Sequence, residues 1–138
     1  MALTDLGAVL LLGAWLERRS RRVAGEAVAI GAVASALVLV VLLPGLERYR
    51  GASGIASALF VAVALDLGAG TASRAAQRTA IAALVLFTAK VAFEGATGRA
   101  LFAGPLPGEI PTIPPVHAAG GLAGALAWGL GRRRGAGA

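Results

Sequence analysis

Apolar residues fall into long runs along this chain, and polar residues gather between them. Five runs can be read, roughly 3–16, 23–43, 51–67, 79–93 and 115–131. A helix crosses the hydrocarbon layer of a bilayer with about 20 residues, within a range of about 17 to 25. The second run is long enough, the third and fifth are near the lower limit, and the fourth needs some flanking residues. The first is too short, so it is tilted, re-entrant or only part of a spanning helix. The segment "GPLPGEIPTIPP" (104–115) reads as a connection, because its prolines discourage a continuous helix. The pattern therefore predicts an all-α, polytopic membrane helical bundle with about five transmembrane segments. It forms one membrane domain, 1–134, followed by a short C-terminal tail, 135–138. No internal repeat is evident.

Composition strengthens this picture. The chain has 138 residues, of which 57% are hydrophobic and only 14% charged. A soluble domain usually carries about 25% charged residues, and one of this size cannot hide so much apolar surface. There is no cysteine, which excludes disulfides and thiolate chemistry. The first basic residue, Arg18, follows the first apolar run, which argues against a signal peptide.

The formal net charge of +6 raises the question of nucleic acid. The basic residues sit in clusters between runs, at "ERRSRR" (17–22), Arg74, Arg78 and "RRR" (132–134), with no nucleic-acid-binding motif beside them. They read instead as topology signals, because cytoplasmic loops of membrane proteins are enriched in Lys and Arg. With "RRSRR" inside, nine of the twelve arginines lie inside, leaving Arg48, Arg50 and Arg99 outside. The C-terminus is then cytoplasmic and the N-terminus outside. That start leads to the expectation of an upstream helix and loop, with a genuine five-helix protein as the alternative. Trp15 and Trp128 fall near the internal ends of their helices, as interfacial aromatics do.

Candidate chemistry appears at the external ends of two runs. Ser53, in "YRGASG" (49–54), and His117, in "PPVHAAGG" (114–121), are each the third residue of their run. Both runs pass from outside to inside, so an alcohol and an imidazole stand at similar depth on the same side. His117, Gly120, Gly121 and Gly124 share one helical face, and Ser53, Ala56, Ser57 and Phe60 share another. Small residues let membrane helices approach closely. Ser53 can then come within about 3 Å of a ring nitrogen of His117, the reach needed for a base to activate a serine hydroxyl. The bland alternatives are a packing serine and a hydrogen-bonded core histidine, although polar side chains in a membrane tend to mark function.

The pair reads as a dyad rather than a triad. Asp66 lies at the opposite membrane end from Ser53, and Glu94 has no evident registry with His117. Lys90 and Glu94 are spaced i,i+4 and read as a structural pair at the membrane boundary. "GASG" opens an apolar helix and is not the strand-to-helix elbow of soluble hydrolases.

"GASG" (51–54) followed by "HAAGGLAG" (117–124) resembles the two catalytic helices of rhomboid intramembrane serine proteases. Together with "LGAWLE" (12–17) and "AKVAFEGATG" (89–98), these stretches look most like the rhombosortase branch, from the family's second membrane helix to its sixth. The resemblance implies Ser53 as nucleophile and His117 as general base and then general acid. It implies Gly51, Gly54, Gly120 and Gly124 as oxyanion or close-packing support. On the second family helix, a His-x-x-x-Asn pattern falls on Met1 and Asp5 here. Asp5 is therefore a candidate oxyanion donor if protonated, or else a helix-end carboxylate. One turn after Ser53, where rhomboids often place an aromatic and rhombosortases a His, this chain has Ser57.

The resemblance further implies a multi-pass protein of the bacterial inner membrane, with its site toward the extracytoplasmic side. Its partners would be the bilayer and membrane-anchored substrates, including short C-terminal sorting anchors. No cofactor, metal or nucleic acid is implied. An inactive rhomboid-like membrane binding or chaperone protein is the first alternative. A transporter fragment or structural bundle is the second.

Overall fold

The computed structural model describes residues 2–42, 44, 52–70, 73–98 and 113–135. Among these there are five α-helices and no strand: α1 (Ala2–Arg19), α2 (Arg21–Leu42), α3 (Ser53–Ala69), α4 (Arg74–Thr97) and α5 (Pro114–Gly135). Every apolar run becomes a helix. The Pro-rich connection at 104–112 and the C-terminal residues 136–138 lie outside the described residues.

The helix ends follow from local chemistry. Ser20 alone separates α1 from α2; its N–H donates to the Leu16 carbonyl at 2.7 Å, and its hydroxyl accepts from the Val23 N–H at 3.3 Å. The basic cluster "ERRSRR" is thus almost entirely helical rather than a loop. Ser73 caps α4 by accepting from the Ala76 N–H, satisfying one of the donors that a helix start leaves unpaired. Gly98 ends α4 with φ 66°, a left-handed conformation that glycine adopts without the Cβ clash, and donates its N–H to the Glu94 carbonyl. Pro114 and Pro115 open α5, where their missing N–H groups interrupt no helical hydrogen bond.

At the centre, α2, α3 and α5 pack against one another. The contact is made by small residues at i,i+4 spacing on all three helices. A methyl group placed on Gly120 would fall on the Gly54 carbonyl, and one on Gly124 would fall on the Ala58 carbonyl. From α2, the Ser35 hydroxyl fills the space beside Gly54, and a methyl on Gly31 would stand 2.9 Å from the Ala58 Cβ. Ser35, Gly54 and Gly120 therefore form one layer, and Gly31, Ala58 and Gly124 the next. The Ser35 hydroxyl donates to the Gly31 carbonyl at 2.7 Å, so no polar group is stranded between the helices. Leu16, Ala24, Ala27, Leu59, Ala62 and Ala127 continue the buried core below these layers.

The outside of the bundle is apolar. Leu10, Leu11, Leu37, Val40, Val41, Val85, Leu86 and Leu122 are all exposed. Two helices, α2 and α4, are long and apolar enough to cross a membrane by length and composition. Helix α3 is apolar but has 17 residues. Helix α1 has 18, longer than its apolar run, because it takes in Ala2 at its start and Glu17, Arg18 and Arg19 at its end.

Charged side chains collect at the two ends. At one end Arg19 pairs with Asp66 at 2.7 Å, joining α1 to α3, and Arg134 pairs with Glu26, joining α5 to α2. Arg19 and Arg132 also stack over Trp15 and Trp128, at 5.4 and 5.0 Å from the ring centroids. The other end holds Asp5, Ser53, Lys90, Glu94 and His117.

The close approach predicts a clear ranking of substitutions. Gly124→Ala must separate α3 from α5 against backbone atoms that cannot rotate away. It should cost about 1–3 kcal/mol, the usual penalty of overpacking. Gly129→Ala, where a methyl meets nothing within 4 Å, should cost nothing. Reversible unfolding in detergent micelles measures both.

Candidate active site

Four helices bring the candidate residues to one cavity of about 510 Å³. Its floor is α3, which contributes Ser53, Ala56, Ser57 and Phe60. These are the four residues that helical spacing places on one face. Helix α1 supplies Asp5, Ala8 and Leu12 on one side, and α4 supplies Ala83, Leu86, Phe87 and Lys90 on the other. His117 of α5 closes the polar end. Phe60 and Phe87 meet with their ring centroids 5.7 Å apart, holding α4 against α3 at the apolar end of the cavity.

Ser53 is the first residue of α3, and His117 is the fourth of α5. The expectation that each stands third in its helix is therefore corrected by two residues for Ser53 and one for His117. The reason lies in the caps. Ala52 occupies the N-cap position of α3, and Pro114 already lies in the first turn of α5.

Gly54 and Gly120 belong to the close contact rather than to the cavity wall, and Gly124 lies one turn deeper in the same contact. The stripe of α3 that meets α5 is Gly54 and Ala58, so Ser53 and Ser57 sit beside the seam and turn toward the cavity. Ser57 is nonetheless buried. Asp5 is half-buried and lines the cavity across from Lys90. Gly51 lies outside the described residues, as does the side chain of Met1.

The first N–H groups of any helix have no intrahelical acceptor and carry the positive end of its dipole. Helix α3 begins at Ser53 with no side chain capping it, so these groups lie at the serine itself. They are oriented as donors for negative charge developing beside its hydroxyl.

The expectation that no acid reaches His117 is overturned. Glu94 Oε2 lies 3.0 Å from His117 Nδ1. The i,i+4 pair of Lys90 and Glu94 does form, at 2.8 Å, but through that same oxygen, and Lys90 Nζ also stands 3.4 Å from Nδ1. Glu94 is 1% exposed, Lys90 25% and His117 12%. The three form a buried polar cluster rather than a surface pair. Registry between Glu94 and His117 depends on how α4 seats against α5 across the intervening segment, and local spacing carries no record of that. The available signal is the cost of an acid in an apolar helix, which a buried partner must offset.

This cluster also fastens α4. Only Ala80 and Glu94 of that helix are buried; its other contacts run mainly along α3, with Phe87 beside Gly121 of α5. Removing one member of a buried ion pair leaves the other uncompensated, at about 3–5 kcal/mol. Lys90→Met should therefore destabilise the protein by an amount of that order. Arg21→Met, which breaks the exposed pair with Glu17 at 3.9 Å, should cost less than about 1 kcal/mol. Denaturant titration in mixed micelles separates the two.

No protein-family model, curated protein or solved structure matches this chain.

Proposed function

We propose that this chain is a rhomboid-like intramembrane serine endopeptidase of five transmembrane helices, hydrolysing peptide bonds in or beside substrate membrane helices. The observation that carries the reading is a cavity lined by both Ser53 and His117, at one of the two polar ends of an apolar bundle. The supporting chemistry is that of a nucleophile beside a base. Ser53 Oγ bonds to the scissile carbonyl carbon and passes its proton to His117. The carbonyl oxygen, now negative, lies toward the N–H groups at the start of α3. Collapse breaks the C–N bond as His117 returns the proton to the leaving amine. The ester left on Ser53 is hydrolysed by water, with His117 again taking and returning a proton.

The shape of the cavity agrees with a helical substrate. Helices α1 and α4 form its two sides, yet no Cα of one comes within 8 Å of a Cα of the other. A substrate segment can therefore reach Ser53 laterally, between α1 and α4, without leaving the bilayer. Leu12, Phe60, Leu86 and Phe87 give its side chains an apolar surface.

Five spans follow if the exposed leucines and valines face lipid and the two charged ends face water. The Trp–Arg stacks then sit at the cytoplasmic interface of a bacterial inner membrane, and the cavity faces the extracytoplasmic side. C-terminal sorting anchors rich in small residues are the substrate class that the rhombosortase resemblance favours. One observation supports a second reading, a catalytically inactive rhomboid-like binding or chaperone protein. Asp5 lines the cavity, and an ionised carboxylate there would oppose an oxyanion.

Reconstituted protein should label with a fluorophosphonate at Ser53 and cleave a membrane-helix substrate. Ser53→Ala and His117→Ala should each lower cleavage at least about 10³-fold, as in other serine hydrolases. Cleavage unchanged by Ser53→Ala sinks the mechanism. Binding of the substrate helix without cleavage or labelling selects the inactive reading.

A further inference from the structure

We propose that Glu94 is the positioning residue for His117, fixing the tautomer and orientation of its ring, with Lys90 holding Glu94 in place. The proposal rests on the peptidase reading of Ser53 and His117, but its geometry stands apart from that reading. A Lys–Glu pair that only anchored α4 at an interface would keep its charges toward water, as the exposed pair of Arg21 and Glu17 does. Here the carboxylate turns inward until it is 1% exposed, and one oxygen meets both Lys90 Nζ at 2.8 Å and His117 Nδ1 at 3.0 Å.

The chemistry of the partners then assigns the protons. A carboxylate only accepts hydrogen bonds, and an ammonium only donates them. Facing Glu94 Oε2, Nδ1 must carry a proton, which leaves the lone pair of the neutral ring on Nε2. Lys90 also has an N–H to offer Nδ1, but at 3.4 Å it is the more distant partner, its shorter contact being to Glu94 at 2.8 Å. With Nδ1–H held, Nε2 is the nitrogen able to take the proton from Ser53. When it does, the imidazolium stands beside a negative charge. Glu94 keeps that charge throughout and takes no proton. Once Nε2 has handed its proton to the leaving amine, the ring returns to the same tautomer, ready for the water step.

Two further features support this arrangement. Glu94 lies in the last turn of α4, where the Gly98 N–H holds its carbonyl at 2.9 Å and fixes the backbone from which the side chain reaches inward. Asp5, the other acid on the cavity, comes from α1 on the opposite side. Glu94 is thus the acid placed at Nδ1.

The test uses the full chain in lipid nanodiscs. His117 is the only histidine, so ¹⁵N labelling gives one imidazole whose two nitrogens report the tautomer directly, at a pH where the ring is neutral. The wild type should show Nδ1 protonated and Nε2 bare. Glu94→Gln can offer an amide N–H to Nδ1 and should move the proton to Nε2, lowering kcat by about 10²- to 10⁴-fold with little change in KM, the pattern of a wrong-tautomer substitution. Glu94→Asp keeps the charge and should retain the wild-type tautomer with an intermediate kcat. A wild-type ring protonated on Nε2 overturns the proposal, and needs no variant to fold. So does a Glu94→Gln protein whose tautomer and kcat match the wild type. Cleavage that survives Ser53→Ala removes the peptidase reading instead, and the tautomer still decides whether Glu94 governs the ring.

Discussion

The bundle depends on how closely α3 can approach its neighbours. Helices in lipid gain little from burying apolar surface against each other, since the tails outside are equally apolar, so packing contacts must supply the association. Here the contact is made almost without side chains. Gly120 and Gly124 of α5 ride on the carbonyls of Gly54 and Ala58, while Gly31 and Ser35 of α2 meet the same two positions. Three helices thus share two layers through residues four apart, which places them on one face of each helix. Because Gly54 adjoins Ser53, and Gly120 is one turn from His117, the contact that holds the fold also fixes the separation of the two candidate catalytic helices. A site of this kind needs its groups placed to within a fraction of an ångström. A seam of backbone against backbone has few rotamers through which to drift.

The second constraint is electrostatic. The described residues put most of their charge at the two ends of the bundle, where the arginines stack on tryptophans or pair with Asp66 and Glu26. The Lys90, Glu94 and His117 cluster is different, because it is buried and joins two helices that otherwise touch little. Helix α4 leans on α3 along its apolar length and meets α5 through this polar cluster and through Phe87 beside Gly121. That arrangement lets α4 stand away from α1, leaving the side of the cavity open. One cluster thereby sets both the attachment of α4 and the environment of the imidazole.

Much of this was legible from the chain. The five helices follow from the apolar runs, and Ser53 and His117, placed on one side by topology and turned together by their small-residue helix faces, line one cavity. The face formed by Ser53, Ala56, Ser57 and Phe60 lines it intact. Other features needed the third dimension. That α3 turns Gly54 and Ala58, rather than the serine face, toward α5 goes with Ser35 and Gly31 of α2 packing on the same stripe. The partnership of Glu94 with His117 joins residues 23 apart, with a proline-rich connection between them. A periodicity of four residues finds the Lys90 pair and has no means of finding the histidine. The more telling sign was energetic: an acid set one turn from the end of an apolar helix requires a partner that justifies its burial.

Ser57 then takes on a different meaning. An imidazole can be held by packing its faces or by hydrogen-bonding one nitrogen, and the two differ in what they fix. Stacking against an aromatic restrains the plane of the ring but leaves both tautomers equal in energy. A carboxylate at Nδ1 restrains the plane and distinguishes the nitrogens as well. The rhomboid resemblance implies an aromatic one turn after the nucleophile, and a hydroxyl at that position offers His117 no stacking surface. With Glu94 at Nδ1, the ring has no need of one. The small Ser57 instead leaves space in the floor of the cavity beside Ser53, where an aromatic would have filled it. The departure at Ser57 and the burial of Glu94 are then two sides of one arrangement, in which the histidine is held from α4 and the space above α3 is left open.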